Sequence, residues 1–212
     1  MSAHELRLQE LGAICDSLNR FDDADWDHDT YCEGWRVRDV VGHMLLGYTT
    51  PMASMLAKIA SKGFNVDRAS AVESVAYGSG HTPSQLLAEL QRVQRDNVRM
   101  GITRIIPADE GVVDHVIHHL DITRPLGRLT TTSAEARLAA LARIVTLGGF
   151  VRAKARAKGL SFAATDAAWR WGVGPEVVGG SEDLLLALSG RPVGLAPLSG
   201  DGVALLAARV GA

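Results

Sequence analysis

The amino-acid sequence predicts a mainly helical protein that ends in a small α+β tail. Three observations carry this. Up to about Lys158, apolar residues return at helical intervals behind repeated capping patterns, Ser2-x-x-Glu5, Thr82-x-x-Gln85 and Thr132-x-x-Glu135. From Leu160 onward the texture changes to short apolar runs separated by Thr-Asp, Gly-Pro and Gly-Asp-Gly breaks. The 212 residues exceed one small domain and fall short of two full ones. One larger unit over 1–158 and one smaller unit over 159–212 is the expected division, the second small enough to need a neighbour to lean on.

Each element has its own signal. Behind Ser2, the residues Leu6, Leu8, Leu11, Ile14 and Leu18 set a helix over about 3–19. The Asp-rich stretch from Phe21 to Gly34, with Trp26, Tyr31 and Cys32, has no period and reads as an ordered loop. Trp35 introduces a second helix with the apolar stripe Val37, Val40, Val41, Met44, Leu45 and Tyr48, interrupted or ended at Pro51. His43 falls on the flank of that stripe, where it can face a cleft. Helix is expected again from Met52 to Lys62, and Gly63 to Gly80 reads as loop. Thr82-Pro83-Ser84-Gln85 combines a cap, a first-turn proline and a capping glutamine, opening a helix that carries Leu86, Leu87, Leu90, Val93 and Val98 inward and ends near Gly101. A helix over about 110–124 buries Val112, Val113, Val116, Ile117 and Leu120 and is stopped by Pro125-Leu126-Gly127. The Thr132 capping box opens a long helix through Leu138, Leu141, Val145 and Phe150 to a basic last turn at Arg152, Lys154, Arg156 and Lys158, cations that suit a helix C-terminus. In the tail, strands are expected at 160–164, 168–171 and 203–206, with one short helix over 181–190.

Composition narrows the function classes. A hydrophobic fraction of 47% with 22% charged residues is ordinary for a globular chain with an ample core. Net charge is −2 and the pI is near 6.4, so no basic field exists for a phosphate backbone, and no nucleic-acid partner is expected. No apolar run approaches a membrane span and the N-terminus is not signal-like, so a cytoplasmic protein is expected, with no membrane partner. The two cysteines, Cys15 and Cys32, are too few for a disulfide framework and read as structural thiols.

The chemistry concentrates in Asp114-His115-Val116-Ile117-His118-His119-Leu120-Asp121, with three histidines and two aspartates in eight residues. Residues four apart share a helical face, so Asp114 with His118, or His115 with His119, can hold one cation. Periodicity alone leaves both pairs open. Either needs a further ligand from elsewhere, for which His43 is the candidate. Nitrogen and carboxylate donors suit zinc first, with nickel, iron or manganese permitted, and three protein ligands leave a position free for water or substrate.

Two stretches then carry a resemblance. Gly34-Trp35-Arg36-Val37-Arg38-Asp39-Val40-Val41-Gly42-His43-Met44 and Asp114-x-x-x-His118-His119-Leu120-Asp121-Ile122-x-Arg124-Pro125-Leu126-Gly127 resemble the mycothiol-dependent maleylpyruvate isomerase family, among the DinB-like metalloenzymes. In the tail, Ala164-Thr165-Asp166-x-x-Trp169, Gly174-Pro175-Glu176-Val177-x-Gly179, Leu184-Leu185-Leu186-Ala187-Leu188-x-Gly190-Arg191 and Leu198-Ser199-Gly200-Asp201-Gly202-Val203 resemble that family's small C-terminal domain. The resemblance implies a DinB-like four-helix bundle followed by a short sterol-carrier-like domain. It implies a divalent metal on His43, Asp114 and His118, with no catalytic residue beyond these ligands. Asp114 departs from the commoner glutamate by one methylene, which a closer helix or His115 would have to offset. Asp121 either orients a ligand imidazole or caps the helix end.

The implied chemistry is activation of a low-molecular-weight thiol, mycothiol, for transfer to, or isomerisation of, a small electrophile. Arg36, Arg38, Arg124 and Arg191 are the cations available to a dianionic substrate. A homodimer is compatible with the fold. Two rival readings use the same residues otherwise: a metal-dependent hydrolase acting through water, and a non-catalytic small-molecule or lipid-binding protein with a structural polar cluster.

Overall fold

A computed structural model describes residues 1–149 and 151–210. Its helical body contains α1 (Ala3–Leu18), α2 (Asp23–Trp26), α3 (Val37–Thr49), α4 (Met52–Ser61), α5 (Val66–Gly80), α6 (Pro83–Asp96), α7 (Ala108–Thr123) and α8 (Ala134–Ile144). The short helix α9 (Ala153–Ala157) leads into the tail, which follows as β1 (Ser161–Ala164), β2 (Arg170–Gly172), β3 (Glu176–Gly179), α10 (Ser181–Ser189) and α11 (Val203–Val210). Four helices close a ring: α1 touches α6 and α7, and α3 touches the same two. That is a four-helix bundle, and α5 lies along the outer side of α3. Among the described residues, no helix is long and apolar enough to cross a membrane.

The stripe expected on α3 is buried throughout, from Val37 to Tyr48, against Leu11, Ile14 and Leu18 of α1 and Leu86, Leu90 and Val93 of α6. Each such side chain contributes about 1.5–3 kcal/mol on leaving water. A second apolar cluster joins Val112, Val116 and Leu120 of α7 to Leu141 and Ile144 of α8, and continues into the tail through Phe162, Val177, Leu184 to Leu188 and Leu206. The tail therefore completes its core on α7 and α8. Its sheet has the order β2-β1-β3, with β1 antiparallel to β2 (Phe162 opposite Trp171) and parallel to β3 (Ala163 opposite Val178). Asp166 anchors the start of α10, accepting from Ser181 N at 2.8 Å and Ser181 Oγ at 2.7 Å.

Several expectations are corrected. The stretch Gly63 to Gly80, read as loop, is mostly α5, capped by Asn65, whose side chain accepts from Arg68 N. Its inward residues are small, Ala69, Ser74 and Gly78, so it has no apolar stripe to announce it. What it offers is close approach. A Cβ on Gly78 would lie 2.6 Å from Asp39 Oδ1 and 2.7 Å from Arg38 O, and one on Gly42 would lie 2.9 Å from Ser74 O. The long helix expected from Thr132 to Lys158 ends at Ile144, where Gly148 and the left-handed Gly149 (φ 56°) follow, and a short helix resumes at Ala153. Phe150 lies outside the described residues. Ser133, not Thr132, caps α8 by accepting from Ala136 N, and Thr132 donates to Glu10 instead. Residues 203–206 begin a helix and not a strand, because a four-residue apolar run fits either period. The Asp-rich loop contains the one-turn helix α2, and Pro51 ends the α3 stripe and directly precedes α4.

Candidate metal centre

The start of α3 is fixed about two turns before His43. Asp39 accepts from Arg36 N at 3.0 Å and from Arg36 Nε at 2.9 Å, and Arg36 also pairs with Asp27. Helix α7 begins with Asp109 and Glu110 in its first turn, the sign its N-terminal dipole favours. These two helices bring His43, Asp114 and His118 together. One ligand atom from each lies within 4.8 Å of the other two, His118 Nε2 is 3.5 Å from Asp114 Oδ1, and the imidazoles of His43 and His118 meet edge to face at 5.2 Å. His118 is buried, whereas His43 and Asp114 are half-buried, so the trio opens towards solvent on one side.

Behind His118 stands a second charged layer. Asp121 Oδ2, fully buried, lies 3.0 Å from His118 Nδ1 and accepts from Arg191 Nη2 at 2.7 Å and from the Cys32 thiol at 3.0 Å. Arg191 reaches in from the residue after Gly190 at the end of α10, donating also to Asp121 Oδ1 at 3.1 Å and to Cys32 Sγ at 3.3 Å. The tail thus completes the support of a bundle histidine. Cys32, His118 and Asp121 form another converging set of possible metal donors. Its cationic place is already taken by the Arg191 guanidinium.

The electrostatics follow. Burial alone would lower the pKa of His118, but Asp114 on Nε2 and Asp121 on Nδ1 outweigh it and hold the pKa well above the usual imidazole value. Burial would raise Asp121, but Arg191 and His118 bring it down to about 2. Asp114 is depressed against its own burial penalty, chiefly by His118. His43 is pushed down to about 4 by burial and by the neighbouring His118. Without a cation, the trio is therefore a neutral imidazole and an imidazolium flanked by carboxylates.

The rival pair points elsewhere. His115 Nε2 lies 2.9 Å from the Tyr48 hydroxyl, which also accepts from Arg7. His119 Nδ1 lies 2.7 Å from Glu10 Oε1 and its Nε2 lies 2.8 Å from Ser17 Oγ, all buried. Both rings tie α7 to neighbouring helices. Arg36, Arg38 and Arg124 are engaged with Asp39 and Asp27, with Asp27, and with Asp183. Sequence reasoning missed three contributors. Cys32, read as an inert structural thiol, touches Asp121 beside the site, and Ser70 and Ser74, read as loop, lie against His43 Nδ1.

Residues 8–100 match the family model for the mycothiol maleylpyruvate isomerase N-terminal domain. The match covers less than half of the chain. The matched stretch of the isomerase-type domain includes His43 and ends before Asp114 and His118. A crystal structure of the mycothiol-dependent maleylpyruvate isomerase overlays 94% of this chain and 91% of its own at 17% identity, with a TM-score of 0.58. A histidine-to-alanine mutant of that isomerase gives the same coverage and TM-score at 16% identity. At these identities the likeness establishes the fold, bundle and tail together. No curated protein matches the chain.

Proposed function

We propose that the chain is an enzyme of the mycothiol-dependent maleylpyruvate isomerase type. It holds a divalent cation, zinc in the first instance, on His43, Asp114 and His118, and it activates mycothiol for transfer to, or isomerisation of, a small electrophile. The observation that carries this is the convergence of those three donors from α3 and α7. Two imidazoles and one carboxylate are a zinc donor set, and the half-exposed side leaves room for a further ligand. The cation, when bound, supplies Lewis acidity that favours the ionised form of a thiol at neutral pH.

The chain's residues do the rest. Asp121, ionised and pinned by Arg191, retains the hydrogen bond from His118 Nδ1–H and so keeps Nε2 turned towards Asp114. Asp114 balances the ion's charge at the rim. The thiol is expected from the co-substrate, since Cys15 is buried in the apolar core and Cys32 is engaged with Asp121 and Arg191. Residues 1–158 form the metal-bearing bundle and 159–212 the domain that braces it, in a cytoplasmic protein.

The test is metal content of the purified chain together with turnover of maleylpyruvate with and without mycothiol. One zinc per chain, lost in His118→Ala, and thiol-dependent turnover are expected. Unchanged metal stoichiometry in the variant would overturn the site, and turnover without any thiol would replace the thiol reading by metal-dependent hydrolysis.

A further inference from the structure

The two histidines of the centre are held from behind by different chemistry. His118 Nδ1 meets a buried carboxylate, whereas His43 Nδ1 meets two hydroxyls, Ser70 Oγ at 3.2 Å and Ser74 Oγ at 3.4 Å. The serines are four apart on α5 and so stack on one helical face, and Ser74 is wholly buried. They come this near because α5 and α3 touch backbone to backbone at Gly42 and Gly78, where either Cβ would meet main-chain or Asp39 atoms within 3.0 Å. The Trp35 ring, tilted 48° at 5.1 Å, packs against the same imidazole.

A neutral imidazole carries its single proton on Nδ1 or on Nε2, and only the first form leaves the Nε2 lone pair for a cation. Near Asp114 the pull is the wrong way, because that carboxylate attracts a proton to whichever nitrogen faces it. An acceptor at Nδ1 is needed to oppose it. A serine hydroxyl can accept one hydrogen bond there without adding charge.

We propose that Ser70 and Ser74 are positioning residues that accept the hydrogen bond from His43 Nδ1–H and thereby keep Nε2 free for the metal. The metal part rests on the reading of the site given above, while the proton's placement does not. Outer partners of this kind typically govern metal affinity by about 10–100-fold.

The experiment uses the full chain. Nitrogen-15 NMR of the histidine rings reads the protonated nitrogen of His43 without metal, and competition with a chromophoric chelator reads zinc affinity. The wild type is expected to show Nδ1–H at His43. The Ser70→Ala/Ser74→Ala double variant should lose that preference and bind zinc about 10–100-fold more weakly. Ser70→Thr/Ser74→Ala, which keeps one hydroxyl, should recover most of both, which a merely structural role of the serines would not produce. A double variant with the wild-type tautomer, or one matching the wild type in zinc affinity, would overturn the proposal. A wild type with the Nδ1–H form but no zinc would instead sink the metal reading and leave the placement of the proton standing.

Discussion

One helix, α7, carries two pairs of polar residues at the same spacing with opposite fates. Asp114 and His118 face a half-open cleft, with His43 across it and a charged support behind. His115 and His119 face closed interior, each ring nitrogen within reach of a partner except His115 Nδ1, which has none among the described residues. Helical spacing is alike on both flanks, and each offers an imidazole. What differs is the neighbour: a buried imidazole whose nitrogens are spent on Glu10 and Ser17 is a strut, and one that has a carboxylate behind and an open side ahead is suited to be a ligand.

Four measurements break or sharpen this contrast. His119→Ala should keep wild-type metal stoichiometry while lowering stability by about 3 kcal/mol in chemical denaturation, because Glu10 stays buried without its imidazole partner. Loss of metal with unchanged stability would reverse the roles of the two flanks. Next in size is Asp121→Asn, which leaves Arg191 without its carboxylate and removes the charge behind His118; zinc affinity should drop about 10–100-fold, and an unchanged affinity would show that the buried layer does not tune the ligand.

The metal-free protein should also show a pH signature from His118 above about pH 6.5. His118 has a raised folded pKa, so the stability it contributes is complete below its unfolded value of about 6.5 and is lost as pH rises through the folded value. Stability measured from about pH 6.5 upward should therefore decline, and the decline attributable to this group should vanish in His118→Gln. A slope that survives in the variant would assign it elsewhere. The smallest effect is expected from Asp114→Glu. Its half-exposed position at the rim can take an extra methylene, so zinc affinity should change less than in Asp121→Asn, and complete loss of binding would mean that the α3 to α7 spacing requires the shorter acid.

Much of the fold is legible in the amino-acid sequence, and the misreadings have physical causes. The stripes of α3 and α7 are readable because large apolar side chains repeat at the helical period. Helix α5 is not, since its packing face is built from Ala69, Ser74 and Gly78, residues suited to closeness and not to hydrophobic burial. The break after Ile144 is hidden because the residues on both sides are helix formers and only Gly148 and Gly149 interrupt them. His43, Asp114 and His118 are the ligands that the family resemblance implies, and the fold brings them together. Cys32 and Arg191 join them around Asp121 from distant parts of the chain, 159 residues apart, a pairing that no local pattern encodes.

The sequence by itself determined the helical body with its α+β tail, the apolar faces, and a polar cluster whose four-residue spacing permits two metal pairs. These are local properties, set by backbone period and side-chain size. Only the tertiary structure decided which pair faces an open cleft. That choice depends on the rotation of α7 against its neighbours, and the groups that settle it, Glu10 and Ser17 on one flank and His43 with Arg191 on the other, lie far from α7 in sequence.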